Sequence, residues 1–333
     1  MTDRKKRILV AGGGGFIGGH LVANLLDQGH GVVAADIKPF TSWYQRHEAA
    51  DNISVDLEEK DACLAAAEGC DVVYNLACNM GGMGFIASNK ALCMLSVLIN
   101  THLLMAAKAH GVSEYFYSSS ACVYPDYRQE AADLAALEES DAYPAMPENG
   151  YGWEKLFSER LCKHYEEDFG MNVRVFRFHN VYGPYGTWSG GREKAPAAIC
   201  RKIIEAQANG TGEIEIWGDG EQTRSFMYID DCITGIDKLM RSNHSDPLNL
   251  GRSELVSINQ LADLVQDIAG VQVRRRYNLN APQGVRGRNS DNTLIRQVLG
   301  WEPEVNLRTG LEKTYWWIKD QYERRQAGES VVD

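Results

Sequence analysis

The chain has 333 residues, of which 44% are hydrophobic and 24% charged, and this is the composition of an ordinary folded protein. Its length is more than one core comfortably fills, so we expect one large domain with a smaller one, or two domains. The formal net charge of −11 argues against sequence-independent binding to nucleic acids, because affinity for a phosphate backbone requires a basic surface.

The first residues and the cysteines indicate the compartment. The chain starts with basic residues and a short apolar run before glycines, without the apolar core of a signal peptide. We recognise no apolar span of about 18 residues, so we expect a cytoplasmic protein that does not contact a membrane. The cysteines lack metal-ligand spacing, which predicts reduced thiols and no metal site. The eight cysteines are Cys63, Cys70, Cys78, Cys93, Cys122, Cys162, Cys200 and Cys232.

The first half of the chain alternates between predicted strands and predicted helices. Residues 7–12 form a short apolar run, and after several glycines a helical pattern extends from Phe16 to about Gln28. Further strands are predicted at 31–36, 71–77, 114–119 and 172–178, with helices at about 89–111 and 149–170. This alternation predicts an α/β fold with a Rossmann-type, doubly wound parallel sheet.

The alternation of strands and helices becomes irregular after Phe178. The loop HNVYGPYGTWSGGREKAP is too long for a plain connection and is therefore predicted to be functional. We expect residues 1–178 to bind the cofactor and residues 179–333 to form mainly a smaller mixed α/β domain for the substrate. A segment at about 226–251 should return to the first domain. Helices of the second part are predicted near 194–208, 257–269 and 307–323.

Three glycines between the first strand and the first helix predict a dinucleotide site. Gly12, Gly15 and Gly18 have the spacing GxxGxxG, which allows a tight turn and places a pyrophosphate at a helix N-terminus. Asp36 ends the second strand and can accept a hydrogen bond from a ribose 2′-hydroxyl, which favours NAD over NADP. The basic residue Lys38 nearby weakens the preference for NAD over NADP. A glycine triplet alone could also be only a tight turn.

The segment YGWEK places Tyr151 and Lys155 on one face of a predicted helix. An ammonium group next to a phenol favours the phenolate, so Lys155 should lower the pKa of Tyr151 and make it usable as a base near neutral pH. An exposed aromatic and cationic pair is the alternative interpretation. The glycine turn upstream and the serine-rich strand end YSSSA favour the interpretation that Tyr151 and Lys155 are a catalytic pair.

The glycine turn, Ser120, Tyr151 and Lys155 together resemble the extended branch of the short-chain dehydrogenase/reductase superfamily, which acts on nucleotide sugars. The resemblance implies that Tyr151 removes the proton of a sugar hydroxyl while hydride passes to NAD, and that Lys155 holds the ribose. Ser120 would be the hydroxyl partner of the reacting oxygen. The expected cofactor contacts are Gly12, Gly15, Phe16, Ile17, Gly18, Asp36, Asp56, Tyr151 and Lys155.

A closer resemblance extends over nearly the whole chain. The motifs NMGGMGF, SSACVYP, YGWEKL, FHNVYGPYGTWSGGREKAPAAICRK, WGDGEQTRSF and GVRGRNSDN are similar to those of the GDP-mannose 3,5-epimerases. The resemblance implies conversion of GDP-mannose to GDP-L-galactose, with GDP-L-gulose as a partial product, and a homodimer. It also implies that Cys122 and Lys194 are the base and the acid that invert carbons 3 and 5.

The chemistry of such a reaction explains why a thiol and an amine suit the site. Oxidation of carbon 4 of a hexose to a ketone makes the hydrogens on carbons 3 and 5 acidic, because the resulting carbanion is stabilised as an enolate. Inversion then needs a base on one face of the sugar and an acid on the other, and burial and charge can tune both groups. Outside these motifs, Cys122 would be buried filler and Lys194 a solvated charge.

The same resemblance implies a set of substrate contacts. Arginine and lysine suit a diphosphate because both give charge-assisted hydrogen bonds, although Arg224 and Arg288 could instead form surface salt bridges. The run RRR at 274–276 is expected to be an exposed face. The implied substrate contacts are Gly81, Ser120, Cys122, Asn180, Glu193, Lys194, Lys202, Gln222, Thr223, Arg224 and Arg288.

The chain departs from the expected pattern at two places. Gly13 stands where alanine is usual in the glycine turn, which should only loosen the turn, and ANGTGE at 208–213 reads as an inserted loop.

Other functions remain open from the sequence. The chain could be an NAD-dependent epimerase or 4,6-dehydratase of another nucleotide sugar. Related dehydratases usually carry an Asp-Glu pair where this chain has Ala121 and Cys122, which disfavours the loss of a hydroxyl group. A catalytically silent NAD-binding sensor is a third interpretation, and the intact set of catalytic residues disfavours it.

Overall fold

A computed structural model describes residues 4–332 of the chain. The strands are β1 (Arg7–Ala11), β2 (Gly31–Asp36), β3 (Asp51–Ser54), β4 (Val72–Asn75), β5 (Glu114–Ser120), β6 (Asn172–Phe178), β7 (Val181–Tyr182), β8 (Glu213–Trp217), β9 (Thr223–Arg224), β10 (Met227–Tyr228), β11 (Leu248–Leu250), β12 (Val256–Ser257), β13 (Arg274–Asn278) and β14 (Gly287–Arg288). The helices are α1 (Phe16–Asp27), α2 (Lys60–Ala67), α3 (Met83–Ser88), α4 (Lys90–Ala109), α5 (Asn149–Phe169), α6 (Ala195–Ala208), α7 (Ile229–Met240), α8 (Ile258–Ala269), α9 (Thr293–Leu299) and α10 (Leu307–Gln326). Short 3₁₀ turns cover Phe40–Ser42, Ala121–Val123, Asp126–Arg128 and Glu139–Ala142.

One sheet organises the first part of the molecule. Its strand order is β11-β6-β5-β4-β1-β2-β3, and every neighbouring pair runs parallel. The chain leaves β1 towards one edge through β2 and β3 and then crosses to the other side through β4, β5 and β6. This change of direction at β1 is the doubly wound arrangement, and it confirms the predicted α/β fold.

Alternating side chains of the sheet build two cores. Ile8 and Val10 of β1 pack in an apolar cluster with side chains of α1 and α7. Leu9 and Ala11 point to the opposite face, where they pack with side chains of α2, α4 and α5. Because both faces are covered, the central strands contain apolar residues on both faces, which explains why sequence patterns found them.

The second part of the molecule is smaller and mixed. Helices α6, α8 and α10 pack on one another. Strands β8 and β13 form a parallel pair, and β9 lies between an antiparallel β12 and a parallel β14. The three arginines of the RRR run begin β13, where Arg274 and Arg276 are exposed and both pair with Glu213 of β8.

The segment that was predicted to return to the first domain contains α7 and β11. Helix α7 packs on α1, and β11 pairs with β6 at the edge of the large sheet. The boundary at residue 178 stays a prediction, since a single apolar cluster includes Val10 of β1 and Leu261 of α8. Residues 1–3 and 333 of the predicted domains lie outside the described residues.

Helix α4 differs from one sequence-based expectation. Among the described residues it is the one helix long and apolar enough, by length and composition, to cross a membrane. The prediction that the chain has no such span is therefore wrong by these two measures, although Ser96, Asn100 and His102 lie within the helix. Its Asn100 side chain is buried and accepts hydrogen bonds from Asn75 and Tyr115 of the sheet.

Candidate active site

A cleft of about 870 Å³ lies at the carboxyl ends of the parallel strands. The chain changes direction at this edge, which is where α/β sheets bind ligands. The glycine turn after β1, Asp36 at the end of β2 and Asp56 beyond β3 line one part of the cleft. Ser120 at the end of β5 and Tyr151 on α5 line another.

The glycine turn is shaped by close backbone contacts. Gly12 has a φ of +82°, a conformation that favours glycine. A Cβ atom on Gly18 would lie 2.0 Å from the carbonyl oxygen of Gly12, so only glycine allows α1 to begin this close to β1. Gly15 caps α1 without any side-chain hydrogen bond, which leaves the first N–H groups of the helix for a ligand.

Gly13 lies close to β2. A Cβ atom at this position would lie 2.9 Å from the Cβ of Ala34 in β2, so an alanine here would require the turn or β2 to shift slightly. That Gly13 loosens the turn stays a prediction.

Asp36 and Lys38 lie at the end of β2 with separate partners. Asp36 is buried, and its Oδ1 accepts a hydrogen bond from the backbone N–H of Lys38 at 3.0 Å. The Lys38 ammonium donates to the carbonyl of Gly14 at 3.0 Å and lies 5.0 Å from the centre of the Tyr44 ring. Burial lowers the pKa of Lys38. The lysine is thus tied to the glycine turn, and Asp36 lines the cleft as the ribose acceptor would.

Tyr151 and Lys155 are both buried on the first turns of α5. The Lys155 ammonium donates to the carbonyl of Ser118 at 3.0 Å and lies 3.7 Å from a carboxylate oxygen of Glu154. It also lies 5.5 Å from the centre of the Tyr151 ring. The sequence motif therefore brings the predicted phenol and ammonium groups together, with Ser120 at the same end of β5.

The pKa of Tyr151 moves against the expectation. Burial raises the pKa of Tyr151 well above its usual value, and the thiols of Cys78 and Cys122 raise it further, whereas a hydrogen bond with Ser120 lowers it. The Lys155 charge was expected to dominate. It does not, because burial of the phenol outweighs it and Glu154, which lies 3.7 Å from the ammonium, also raises the pKa of Tyr151.

Cys122 lies in the short turn that follows β5. The side chain is 7% exposed and packs with Tyr151 in a small apolar cluster. Its backbone N–H donates to Ser120 Oγ at 3.2 Å, and its thiol accepts a hydrogen bond from Arg288 Nη1 at 3.5 Å. Burial raises the pKa of the thiol, the charge of Glu148 raises it further, and Arg288 lowers it. Cys122 is not among the residues that line the cleft.

Lys194 lines the cleft and forms the N-cap of α6. Within residues 4–332 it forms no ion pair with a carboxylate. Its electrostatic neighbours are the thiols of Cys122, Cys78 and Cys232 and the guanidinium of Arg288. Burial lowers the pKa of Lys194. Cys122 and Lys194 are therefore close enough to influence each other, as the motifs implied.

The predicted diphosphate contacts Arg224 and Arg288 lie side by side. The two residues are direct partners in the parallel pair of β9 and β14. Arg224 donates to the carbonyls of Thr223, Gln283 and Val285. Burial, with the charge of Arg288, lowers the pKa of Arg224 to about 10. Neither arginine is in an exposed salt bridge, which was the alternative interpretation.

Other predicted substrate contacts lie outside the lining of the cleft. Lys202 and Gln222 converge on β8, where the lysine donates to the carbonyl of Glu215 and the glutamine to that of Trp217. Thr223 donates to the carbonyl of Ala132. These residues border the part of the molecule around β8 and β9.

Three further predicted contacts shape the loops near the cleft. Gly81 packs against Phe85. Glu193 accepts hydrogen bonds from Arg201 and from the backbone of Gly191. Asn180 has a φ of 45° and donates to the carbonyl of Ser225. Their roles towards a substrate stay predictions.

The structure adds site residues that the sequence analysis missed. Cys78 follows β4 and lines the cleft. It could have been predicted from the sequence, because ligand-binding residues often lie at the carboxyl end of a parallel strand. Glu154 lies within the YGWEK motif itself. Glu148 and Gln129 contact Arg288, and nothing in the sequence links Glu148 to an arginine 140 residues away.

Comparisons with known proteins agree with this geometry. A family model described as the NAD dependent epimerase/dehydratase family matches residues 8–251. GDP-mannose 3,5-epimerase 1 of Oryza sativa subsp. japonica is 47% identical over 325 residues, which are 97% of this chain and 84% of that protein.

Solved structures share the fold over nearly the whole chain. UDP-glucose 4-epimerase of Thermotoga maritima, solved with UDP-glucose, has a TM-score of 0.86 and 25% identity and covers 95% of this chain and 99% of its own. MoeE5 in complex with UDP-glucose and NAD has a TM-score of 0.79 and 27% identity, with coverage of 95% and 99%.

Proposed function

This chain belongs to the NAD dependent epimerase/dehydratase family, and from that membership we propose that it is an isomerase that converts GDP-mannose to GDP-L-galactose. GDP-L-gulose, inverted at carbon 5 alone, is the expected partial product. The observation that carries the proposal is the pair Cys122 and Lys194. Lys194 lines the cleft, Cys122 packs with Tyr151, and the two groups interact electrostatically with each other. An enzyme that inverts only carbon 4 needs no such pair.

The cleft fits NAD. The free N–H groups at the start of α1 suit a pyrophosphate, and the close contact of Gly18 with Gly12 leaves room for a ligand to approach the backbone. Asp36 would hold the adenosine ribose, and Lys155 the ribose of the nicotinamide. When bound, NAD supplies a hydride acceptor that takes hydride from carbon 4 of the sugar and later returns it.

Tyr151 and Ser120 handle the hydroxyl group at carbon 4. The Tyr151 oxygen accepts the hydroxyl proton as carbon 4 becomes a ketone, and Ser120 hydrogen-bonds the reacting oxygen. Burial opposes formation of the phenolate, so the ammonium of Lys155 must favour it. The same proton returns to the sugar when the ketone is reduced.

Cys122 and Lys194 act on the neighbouring carbons. With carbon 4 oxidised, one group of the pair takes the proton of carbon 5 or carbon 3, and the other delivers a proton to the opposite face. Burial disfavours the charged form of both groups, so it raises the pKa of the thiol and lowers the pKa of the amine. These opposite shifts bring the two pKa values closer together, which suits proton exchange between the two groups.

Arg224 and Arg288 are the proposed partners of the substrate diphosphate. Their adjacent positions on β9 and β14 bring two guanidinium groups together, and the field of one lowers the pKa of the other. A diphosphate relieves this repulsion and accepts several of their hydrogen bonds.

Incubation of the purified protein with GDP-mannose and NMR of the sugar products tests the proposal. We expect signals of GDP-L-galactose and GDP-L-gulose, with no net NADH. A Cys122→Ala protein is the matched control and should give neither product. If the protein leaves GDP-mannose unchanged but inverts carbon 4 of a UDP-sugar, the proposal is wrong.

We further propose a homodimer that forms through α4 and α5. These neighbouring helices expose large apolar side chains, among them Leu95 and Leu98 on α4 and Phe157 on α5. Such a contiguous apolar face is typical of a buried interface. Leu98→Glu should shift the protein to a monomer in light scattering, whereas Leu279→Glu, at an exposed leucine outside these helices, should not. A parent protein that is monomeric contradicts the proposal.

We also propose that the protein is cytoplasmic. All eight cysteines are free in the structure, and seven of them are buried, which suits a reducing compartment. Cell fractionation tests this proposal, and recovery of the protein in a membrane or secreted fraction contradicts it.

A further inference from the structure

Cys122 stands between two opposite charges that contact each other. Arg288 Nη2 and Glu148 Oε2 form an ion pair at 2.5 Å, and the two side chains are 6% and 3% exposed. Arg288 Nη1 contacts the Cys122 thiol at 3.5 Å, while the backbone N–H of Glu148 donates to the carbonyl of Cys122 at 2.9 Å. The thiol is thus held by a guanidinium and by the segment that carries the carboxylate.

We propose that Glu148 is a positioning residue that controls the protonation state of Cys122. Its carboxylate opposes Arg288 and holds Cys122 as a neutral thiol in the free protein. The catalytic meaning of this control rests on the proposed function, because only there does Cys122 move a proton of the sugar.

The sign of the effect follows from the charges. A carboxylate disfavours a thiolate and a guanidinium favours it, and burial strengthens both effects. Arg288 does not act on the thiol with its full charge, because it also donates to Gln129 at 2.6 Å and is paired with Glu148. Burial is the largest cause of the raised pKa of the thiol, and of the two charges the carboxylate has the larger effect on it.

Glu148 is itself ionised where it acts. Burial raises the pKa of its carboxyl group, but the charge of Arg288 and hydrogen bonds from Arg288 and Cys122 more than offset burial, so the pKa lies below the usual value. The other charged or titratable groups that act on the thiol, on Arg288 or on Glu148 are Tyr151 on α5, Lys194 before α6, Arg224 on β9, Asp126 in the turn after β5 and His179 after β6. Of these, only Asp126 is a carboxylic acid.

Cys122 and Lys194 would then exchange one proton during the reaction. Transfer of the thiol proton to an uncharged amine would convert R–SH and R′–NH₂ into R–S⁻ and R′–NH₃⁺, which conserves both protons and charge. The product of this transfer is the thiolate base and ammonium acid that the sequence motifs imply. Glu148 favours the form with the proton on sulfur, and Arg288 favours the form with the proton on nitrogen.

The pH dependence of Cys122 alkylation tests the proposal. The full-length protein, without sugar, is treated with iodoacetamide at a series of pH values, and modification of the Cys122 peptide is measured by mass spectrometry. The pH at the midpoint of the rate curve is compared between the proteins. A change in access to the thiol alters the rates at all pH values by the same factor and does not move this midpoint. Glu148→Gln removes the charge and keeps a hydrogen-bonding group. Arg288→Gln removes the opposing charge.

We expect the two variants to move in opposite directions. Glu148→Gln should lower the midpoint and raise the fraction of the maximal rate reached at pH 7 by about threefold or more. Arg288→Gln should raise the midpoint, and Glu148→Asp should keep it close to that of the parent. Glu114→Gln, which breaks an ion pair with Lys6 at the other end of β5, is the matched control and should not move it.

Three outcomes overturn the proposal. The first is a midpoint that stays or rises in Glu148→Gln, and the second is a shift in the same direction in both variants. The third is a midpoint for Cys122 of the parent protein that lies at or below the midpoint of N-acetylcysteine measured alongside. Because this outcome needs no variant, it remains decisive if a variant does not fold. Because no measurement here uses GDP-mannose, a failure of the proposed function in the NMR experiment is recognised separately.

Discussion

Lys155 is the buried cation of the tyrosine site. Its side chain is 1% exposed, and its ammonium is held by Ser118 and Glu154 beside the Tyr151 ring. Lys155→Met should lower turnover by roughly 10²-fold or more, because it removes the charge that favours the phenolate and a ribose contact. Thermal unfolding should stay cooperative, since methionine fills a similar volume. Conversion of GDP-mannose is the measurement.

A matched variant on the same helix controls the Lys155 experiment. Lys163→Met removes a half-exposed ammonium that pairs with Glu166, and it should leave turnover unchanged. Unchanged turnover in a well-folded Lys155→Met protein would contradict the role given to the tyrosine and lysine pair.

Asp36 is the residue that we propose to decide between NAD and NADP. Its carboxylate lines the cleft at the end of β2, and Lys38, the nearest competing cation, is bound to the carbonyl of Gly14. Asp36→Ala should weaken binding of NAD and relax discrimination against NADP, because it removes an acceptor for the ribose and a charge that repels a phosphate. Calorimetric titration with both dinucleotides measures this, with Asp27→Ala, at the exposed end of α1, as the control. A parent protein that already prefers NADP would contradict the assignment.

The sequence predicted which residues lie close together in the site. It did not predict their protonation states equally well. Tyr151, Lys155 and Ser120 could be predicted because a helical spacing and a strand end place them by local geometry. The pKa of Tyr151 could not, because it depends on burial and on Glu154, whose charge offsets that of Lys155. Glu148 could not be predicted either, since its effect requires Arg288 from the far end of the chain.

At the scale of elements, the buried His179 couples β6 to β11. It is fully buried directly after β6, and its Nε2 hydrogen-bonds Asn249 of β11 at 2.9 Å, while Nδ1 has no partner in the structure. Burial lowers the pKa of His179 to about 3, although the hydrogen bond with Asn249 raises it. The folded protein therefore holds this ring neutral at pH values where the unfolded chain protonates it.

The sign of the pH effect on stability follows. The unfolded chain binds a proton at His179 below a pH of about 6.5, and the folded protein does not until about 3, so stability is lost as the pH falls through that interval. Between pH 7 and pH 5 this group should contribute a loss of about 2 kcal/mol in the free energy of unfolding. His179→Gln should be less stable at pH 7 but should lose less on acidification, as measured by urea unfolding.

An exposed histidine controls the acidification experiment. His164→Gln on α5 should keep the pH dependence of the parent, because its ring is half exposed. If His179→Gln and the parent lose equal stability between pH 7 and pH 5, the buried ring does not stay neutral in the folded protein.

Burial explains which elements were predictable. Strands β1, β2, β5 and β6 each contain a continuous run of buried residues because helices cover both faces of the sheet, although β5 ends in three serines and β6 contains two arginines. The edge strand β3 has the sequence DNIS with an exposed aspartate and was missed, and β11 has only three residues. The short strands of the second part are set by contacts with distant segments, which no local pattern encodes.

At the scale of the whole molecule, the proposed proton-transfer pair is built from separate parts of the chain. Cys122 follows a strand of the large sheet, Lys194 starts the first helix of the smaller part, and Arg288 comes from β14. Folding must join the two parts before the thiol meets the guanidinium. Tyr151, for hydride transfer, and Cys122, for inversion, lie on different elements. A substitution at one of them can therefore slow one step and leave the other unchanged.

Isotopes distinguish the two steps. Because the ketone is made and reduced on the same bound cofactor, no added NADH should be needed, and a deuterium label at carbon 4 of GDP-mannose should stay with the sugar. The protons of carbons 3 and 5 pass to Cys122 or Lys194 and can exchange with solvent. Product formed in D₂O should therefore carry deuterium at the inverted positions, as seen by NMR.

Cys122→Ala assigns the solvent exchange to the thiol. The variant should still bind NAD and GDP-mannose, since the glycine turn does not contact the thiol and Arg288, which does, is also held by Glu148 and Gln129, but it should invert carbons 3 and 5 roughly 10²-fold or more slowly. Carbon 4 oxidation should persist, because Tyr151, Lys155 and Ser120 are unchanged. If Cys122→Ala forms product at the parent rate with deuterium at both carbons, then Lys194 and solvent suffice for inversion. The buried thiol after β5 would then serve packing, and the control by Glu148 would have no consequence for the reaction.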